Sequence, residues 1–144
     1  MGQLRWLSLA GLITLALAGC GGDKKSEEGE GNGEAQAACT GSALSEAPKL
    51  PANFPTFASV TYTQQSTQGP TEIVEGYYVG DVAGAHDEVK SALETAGFTV
   101  LFDEVEEHDS EVSWKGQGRS GQVALREECA DNDRTFVHIT NRPE

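Results

Sequence analysis

One stretch of this chain repeats apolar residues at helical spacing, and it lies between stretches that alternate. Val82, Ala85, Val89, Leu93 and Ala96 fall on one side of a helix, the 3.6-residue period of a buried helical stripe. Asp81 ahead of them is a good N-cap, and Gly97 behind them supplies a C-terminal stop. On both flanks the period is two. Ala58, Val60 and Tyr62 alternate with Ser59, Thr61 and Thr63, as in a half-buried strand. The Gln/Ser/Thr stretch up to Pro70 reads as a turn or hairpin loop. Residues 73–79 give a second strand, with Tyr77 and Tyr78 on opposite faces and Gly76 as a bulge site. After the helix, residues 98–105 return to strand, with Phe98, Val100 and Phe102 on one face and Thr99 and Leu101 on the other. Short strands follow near 111–115, 122–127 and 135–140. Hairpin-length connections favour antiparallel pairing, and one amphipathic helix covers one sheet face. The expected fold is therefore α+β, a small antiparallel sheet with one covering helix in the order β-β-α-β-β-β-β, spanning residues 39–144.

Residues 40–56 contain Pro48, Pro51 and Pro55, each biasing its predecessor toward extended backbone. They read as an arm crossing the domain surface. A core of this size is marginal on its own, so a crosslink matters.

The first forty residues have another character. Arg5 precedes the almost wholly apolar segment 7–18, the charged-then-apolar layout of a secretory signal. About a dozen apolar residues rise only about 18 Å as a helix, short of the roughly 30 Å hydrocarbon layer. Leu17-Ala18-Gly19-Cys20 then resembles the lipobox of bacterial lipoproteins, an apolar residue and two small ones ahead of an obligatory cysteine. The resemblance covers about the first 22 residues. It implies that residues 1–19 are a removed signal peptide, that the mature chain starts at Cys20, and that lipid on Cys20 anchors the protein to a membrane. Multiple acyl chains give stable anchoring where one gives only reversible binding. Gly21 follows the cysteine, where an aspartate would resemble an inner-membrane retention signal. In an organism with two membranes this implies the outer one, with the protein facing the periplasm or the exterior.

From 21 to 38 the chain is rich in Gly and Glu and poor in branched apolar residues, a composition that cannot bury enough surface to offset ordering. Residues 20–38 are expected to be a disordered tether, about 25 Å end to end. Cys39 and Cys129 are the cysteines left after Cys20, in a compartment where disulfides persist. They are expected to pair, closing a loop of about 90 residues worth roughly 4 to 5 kcal/mol by chain entropy.

The chain carries 23 Asp and Glu against 10 Lys and Arg, a net charge of −13. Phosphate backbones demand clustered cations, so nucleic acid is not an expected partner. Gly116-Gln117-Gly118-Arg119-Ser120-Gly121 matches the spacing of a dinucleotide fingerprint, but it joins two predicted strands. Without a helix N-terminus to meet a pyrophosphate, it reads as a hairpin loop. Ser120 lacks the glycine two positions on that a nucleophile elbow requires, and no cofactor is expected. Residues 131–133, Asp-Asn-Asp, read as a hairpin turn.

The densest chemistry lies at 103–111. Asp103, Glu104, Glu106, Glu107, Asp109 and Glu111 surround His108. The run reads as a solvated acidic edge that discourages strand-to-strand aggregation, and alternatively as weak oxygen ligands for a divalent cation. His86 reads as a helix edge, and the three histidines have no ligand spacing. The functional expectation is a non-enzymatic, lipid-anchored envelope protein. Its domain would contact another envelope component through the sheet face or the glycine-rich loop, with Trp114, Tyr77 and Tyr78 as candidate contacts. A cation-binding module using the acidic run is the alternative, and an enzyme with a site assembled from distant residues is the third.

Overall fold

A computed structural model describes residues 28–131 and 133–144, with residues 28–32 described by their backbone alone. The elements are α1 (Glu28–Thr40), β1 (Val60–Gln68), β2 (Thr71–Val79), α2 (Val82–Thr95), β3 (Thr99–Val105), β4 (Asp109–Gly116), β5 (Arg119–Arg126) and β6 (Arg134–Pro143). The strands form one antiparallel sheet in the order β1-β2-β6-β5-β4-β3. The fold is α+β with a small antiparallel sheet. A β1-β2 hairpin feeds α2, which carries the chain across the sheet to its far edge. The meander β3-β4-β5-β6 then returns until β6 closes against β2.

The helix at the centre of the sequence argument forms for the reasons read there. Asp81 accepts from the Gly84 amide at 2.7 Å. At the other end, Gly97 takes a left-handed φ of 83°, and the amides of Gly97 and Phe98 bond back to Glu94 and Leu93. This is a Schellman stop, with Phe98 and Leu93 as its apolar contact. Val82, Ala85, Val89 and Leu93 are buried against Val112, Trp114, Val123, Leu125, Val137 and Ile139 from the sheet. Each fully buried Val or Leu contributes about 1.5–3 kcal/mol. The proline-rich arm completes this core. Phe54 meets Phe57, Phe98 and Trp114 at centroid distances of 5.8, 5.5 and 5.0 Å.

Four details differ from the sequence reading. A second helix, α1, precedes the first strand, so the order is α-β-β-α-β-β-β-β. It runs through the segment assigned to the tether, despite its poor helix formers. Ala35, Ala38 and Cys39, at helical spacing, are buried against Tyr77 and Phe136. Gln36 bonds the backbone of Glu128 and Ala130, and Arg134 caps the Cys39 carbonyl at 2.7 Å. Tertiary contacts override propensity here. Second, the Gln/Ser/Thr stretch is strand, because β2 pairs it out to Gln68 opposite Thr71, leaving only Gly69 and Pro70 as the turn. Third, the bulge sits in β1 between Tyr62 and Gln64, opposite Gly76. A Cβ on Gly76 would strike the Thr61 carbonyl. Fourth, β3 has an irregularity between Val100 and Phe102, which moves Phe102 to the face opposite Val100.

The Cys39–Cys129 disulfide is present, with Cα atoms 5.6 Å apart. The glycine-rich stretch is the tight β4-β5 hairpin, with Gln117 and Gly118 both at positive φ, 56° and 70°, the primed turn that matches strand twist. Asp131 and Asp133 precede β6, and Asn132 lies outside the described residues. So do Cys20 and the lipobox. No described helix is long and apolar enough to cross a membrane.

Candidate functional site

Strand alternation gives the sheet two unlike faces. One packs against α2 and the arm. The other, which we term the open face, meets α1 over parts of β1, β2 and β6. Toward β3, β4 and β5 the open face carries Phe102, Glu104, Glu111, Ser113, Ser120 and Gln122. A groove of about 450 Å³ crosses this region, lined chiefly by Thr71, Leu101, Ser113, Ser120, Gln122, Thr140 and Arg142. Gly121 belongs to its floor. A Cβ there would meet the Thr140 carbonyl and the Trp114 ring, so glycine is what lets β5 lie close to β6 at this point. Within the groove, Thr140 Oγ1 accepts from the Gln122 amide at 3.1 Å, and the Gln122 side chain donates to Glu111 at 2.8 Å. The lining offers hydroxyls, a carboxamide, a guanidinium and one leucine. A ligand on such a surface would be held by hydrogen bonding and shape.

Of the candidate contact residues, Tyr77 and Tyr78 fall outside the groove, and Trp114 lies beneath its floor. Trp114 is fully buried, edge-on to Phe98 at 5.5 Å. It belongs to the core, because its strand position faces α2. Tyr77 is half-buried under α1, with the Arg134 guanidinium 4.2 Å above its ring. Tyr78 packs against the main core, and burial, then the nearby Glu88, pushes its phenol pKa up. Burial, then Glu88, does the same to Tyr62.

The acidic run does not converge. Asp103 faces α2 and bonds Lys90 at 2.6 Å. That bond holds the Asp103 carboxyl below its ordinary value and raises the Lys90 ammonium. Glu104 and Glu111 stand opposite each other across the β3-β4 ladder, a destabilising like-charge pair. His108 bonds Glu127 at 2.6 Å, which raises its pKa. Among the described residues, no group of three or more His, Cys, Asp or Glu side chains is arranged to hold a metal ion.

Two histidine networks escaped the sequence reading. His138 on the open face bonds the buried Glu75 at 2.8 Å. His86, read as a helix edge, is buried and lies 2.7 Å from Ser110 Oγ through Nδ1 and 3.5 Å from Asp103 through Nε2. The residue types are those of a hydrolase triad, but Ser110 is only 1% exposed. A nucleophile must reach its substrate, and this hydroxyl is enclosed between α2 and the sheet. The network ties α2 to β3 and β4. Its members are 24 and 17 residues from His86 in sequence, a separation that no local motif signals. Nor did any motif mark Gln122, Thr140 and Arg142, although their alternate positions on adjacent strands place them on one face.

No protein-family model matches the chain, and no curated protein is significantly similar to it.

Proposed function

We propose that this chain is a lipid-anchored protein of the bacterial cell envelope whose folded part binds another envelope component through the open face, without catalysing a reaction on it. The observation that carries the binding reading is the groove of about 450 Å³ on a sheet whose opposite face is filled with core. The lipobox resemblance at residues 17–20 supports the address. Lipidation at Cys20 would hold the domain at a membrane, where a shallow polar surface gains from high local concentration what it lacks in intrinsic affinity.

Two measurements test the parts separately. Cys20→Ser should move the protein from the membrane fraction to the soluble fraction, and retention in the membrane fraction would end the lipoprotein reading. A photo-crosslinker placed at Ser120 should capture one defined partner in intact cells, and Gln122→Arg should abolish that capture. Equal capture from Asn53, in the arm that packs on the α2 side of the sheet, would remove the open face as the binding surface.

A further inference from the structure

The two edges of the sheet are treated differently. Along β1, the arm covers the outer edge. Leu44 donates its amide to the Tyr62 carbonyl at 2.8 Å, and the Lys49 amide reaches the Gln65 side chain at 3.2 Å. Along β3, the last strand in the sheet order, no described strand pairs with the outer side. Alternate backbone amides and carbonyls of β3 point away from β4, as in any antiparallel edge. The same strand carries Leu101, Phe102 and Val105, which are 56, 49 and 48% exposed and are three of the four large exposed apolar side chains among the described residues. An uncovered edge with exposed apolar side chains is an adhesive surface.

The charge around it limits what can adhere. Glu104 and Glu106 stand exposed on and beside β3, and Asp87 and Glu94 on α2 lie near enough to Lys90 to raise its pKa. A second copy would bring the same carboxylates to the same edge, and like charges brought together oppose pairing. An extended segment with cations among apolar residues meets both demands, its main chain completing the ladder and its ammonium groups facing the acids.

We propose that β3 is a strand-addition site for an extended, lysine- or arginine-bearing apolar segment of another protein. This rests on reading the domain as a binding module and is independent of the lipid anchor. The occupant becomes a seventh strand beside β3, with its basic side chains on the open face, their stems along Phe102 and their charges toward Glu104, and its apolar side chains on the α2 face beside Val105.

The test uses the full-length protein in detergent, followed by hydrogen–deuterium exchange. The probes are a short blocked peptide of alternating lysine and valine and an isomer with the lysines grouped at one end. The alternating peptide should slow exchange in residues 99–105 and leave residues 60–68 unchanged. Glu104→Lys with Glu106→Lys should weaken it about tenfold, and Phe102→Ser should weaken it without reversing charge. Equal protection by the grouped isomer would reduce the effect to bulk attraction and overturn strand addition. Protection of β3 that rises with protein concentration, without peptide, would assign the edge to a second copy and also overturn it. If β3 stays unprotected while Ser120 still captures a partner in cells, this proposal fails and the binding-module reading stands.

Discussion

The two faces of the sheet are held by different means. On the α2 face, large apolar side chains interdigitate around Trp114, Leu93 and Leu125, each fully buried. On the open face the covering helix contributes mainly Ala35, Ala38 and Cys39, too little apolar surface to hold a glycine-rich helix in place. A covalent bond and polar ties to residues about ninety positions away do that work instead. Stability and exposure are thus divided between the two faces. The α2 face is filled by its own core, and the open face leaves its β3-to-β5 half uncovered by α1 among the described residues.

The largest effect should come from the α2 face. Trp114→Ala should cost about 3–5 kcal/mol by urea denaturation, and a loss under about 1 kcal/mol would mean that the aromatic cluster of Phe54, Phe98 and Trp114 is not the keystone of that side. Cys39→Ser with Cys129→Ser should cost about 2–4 kcal/mol. By hydrogen exchange the loss should appear first in α1, with α2 protected until global unfolding. Simultaneous loosening of both helices would erase the distinction between the faces. Gln122→Ala, in the groove, should cost only about 1 kcal/mol through its hydrogen bond to Glu111, leaving the domain folded so that a change in partner capture reports on binding.

The smallest effects are electrostatic, because the pairs are exposed. Asp103 titrates below its ordinary 3.8 because Lys90 bonds it. Its contribution is full above that ordinary value and is lost as pH falls through the lowered one. His108 has the opposite sign. Raised by Glu127, it stabilises fully below its ordinary 6.5 and loses that contribution as pH rises through the raised value. Carboxyl and imidazole NMR titrations of Lys90→Met and Glu127→Gln should return each group toward its ordinary value, and an unmoved midpoint would exclude the assigned partner.

What could be read from sequence follows the range of the interactions involved. The second helix was legible because cap, stripe and stop all lie within Asp81 to Gly97. The β4-β5 hairpin was legible in Gln117-Gly118, and the disulfide followed from the two cysteines left once Cys20 was set apart by its resemblance to a lipobox. The first helix was not, because Gly29, Gly31 and Gly33 argue against it locally, and what holds it lies near residues 128–134. The irregularity at Leu101 reversed the facing of Phe102, since an inserted residue breaks a period of two without any compositional mark. The acidic character of 103–111 was visible, whereas its division between two faces depends on pairing register. The histidine networks were hidden for the same reason, as each joins elements that only the assembled sheet brings together.

The bridge between Cys39 and Cys129 also sets where a mechanical load would travel. A pull on the chain ahead of Cys39 enters the last connection of the meander directly, beside β6, the strand hydrogen-bonded to both β2 and β5. Residues 40–128 are bypassed by the covalent path, so β1 cannot be peeled from the sheet by tension from the N-terminal side. For a domain held to a surface by its N-terminus, shear on the partner would be borne at the middle of the sheet.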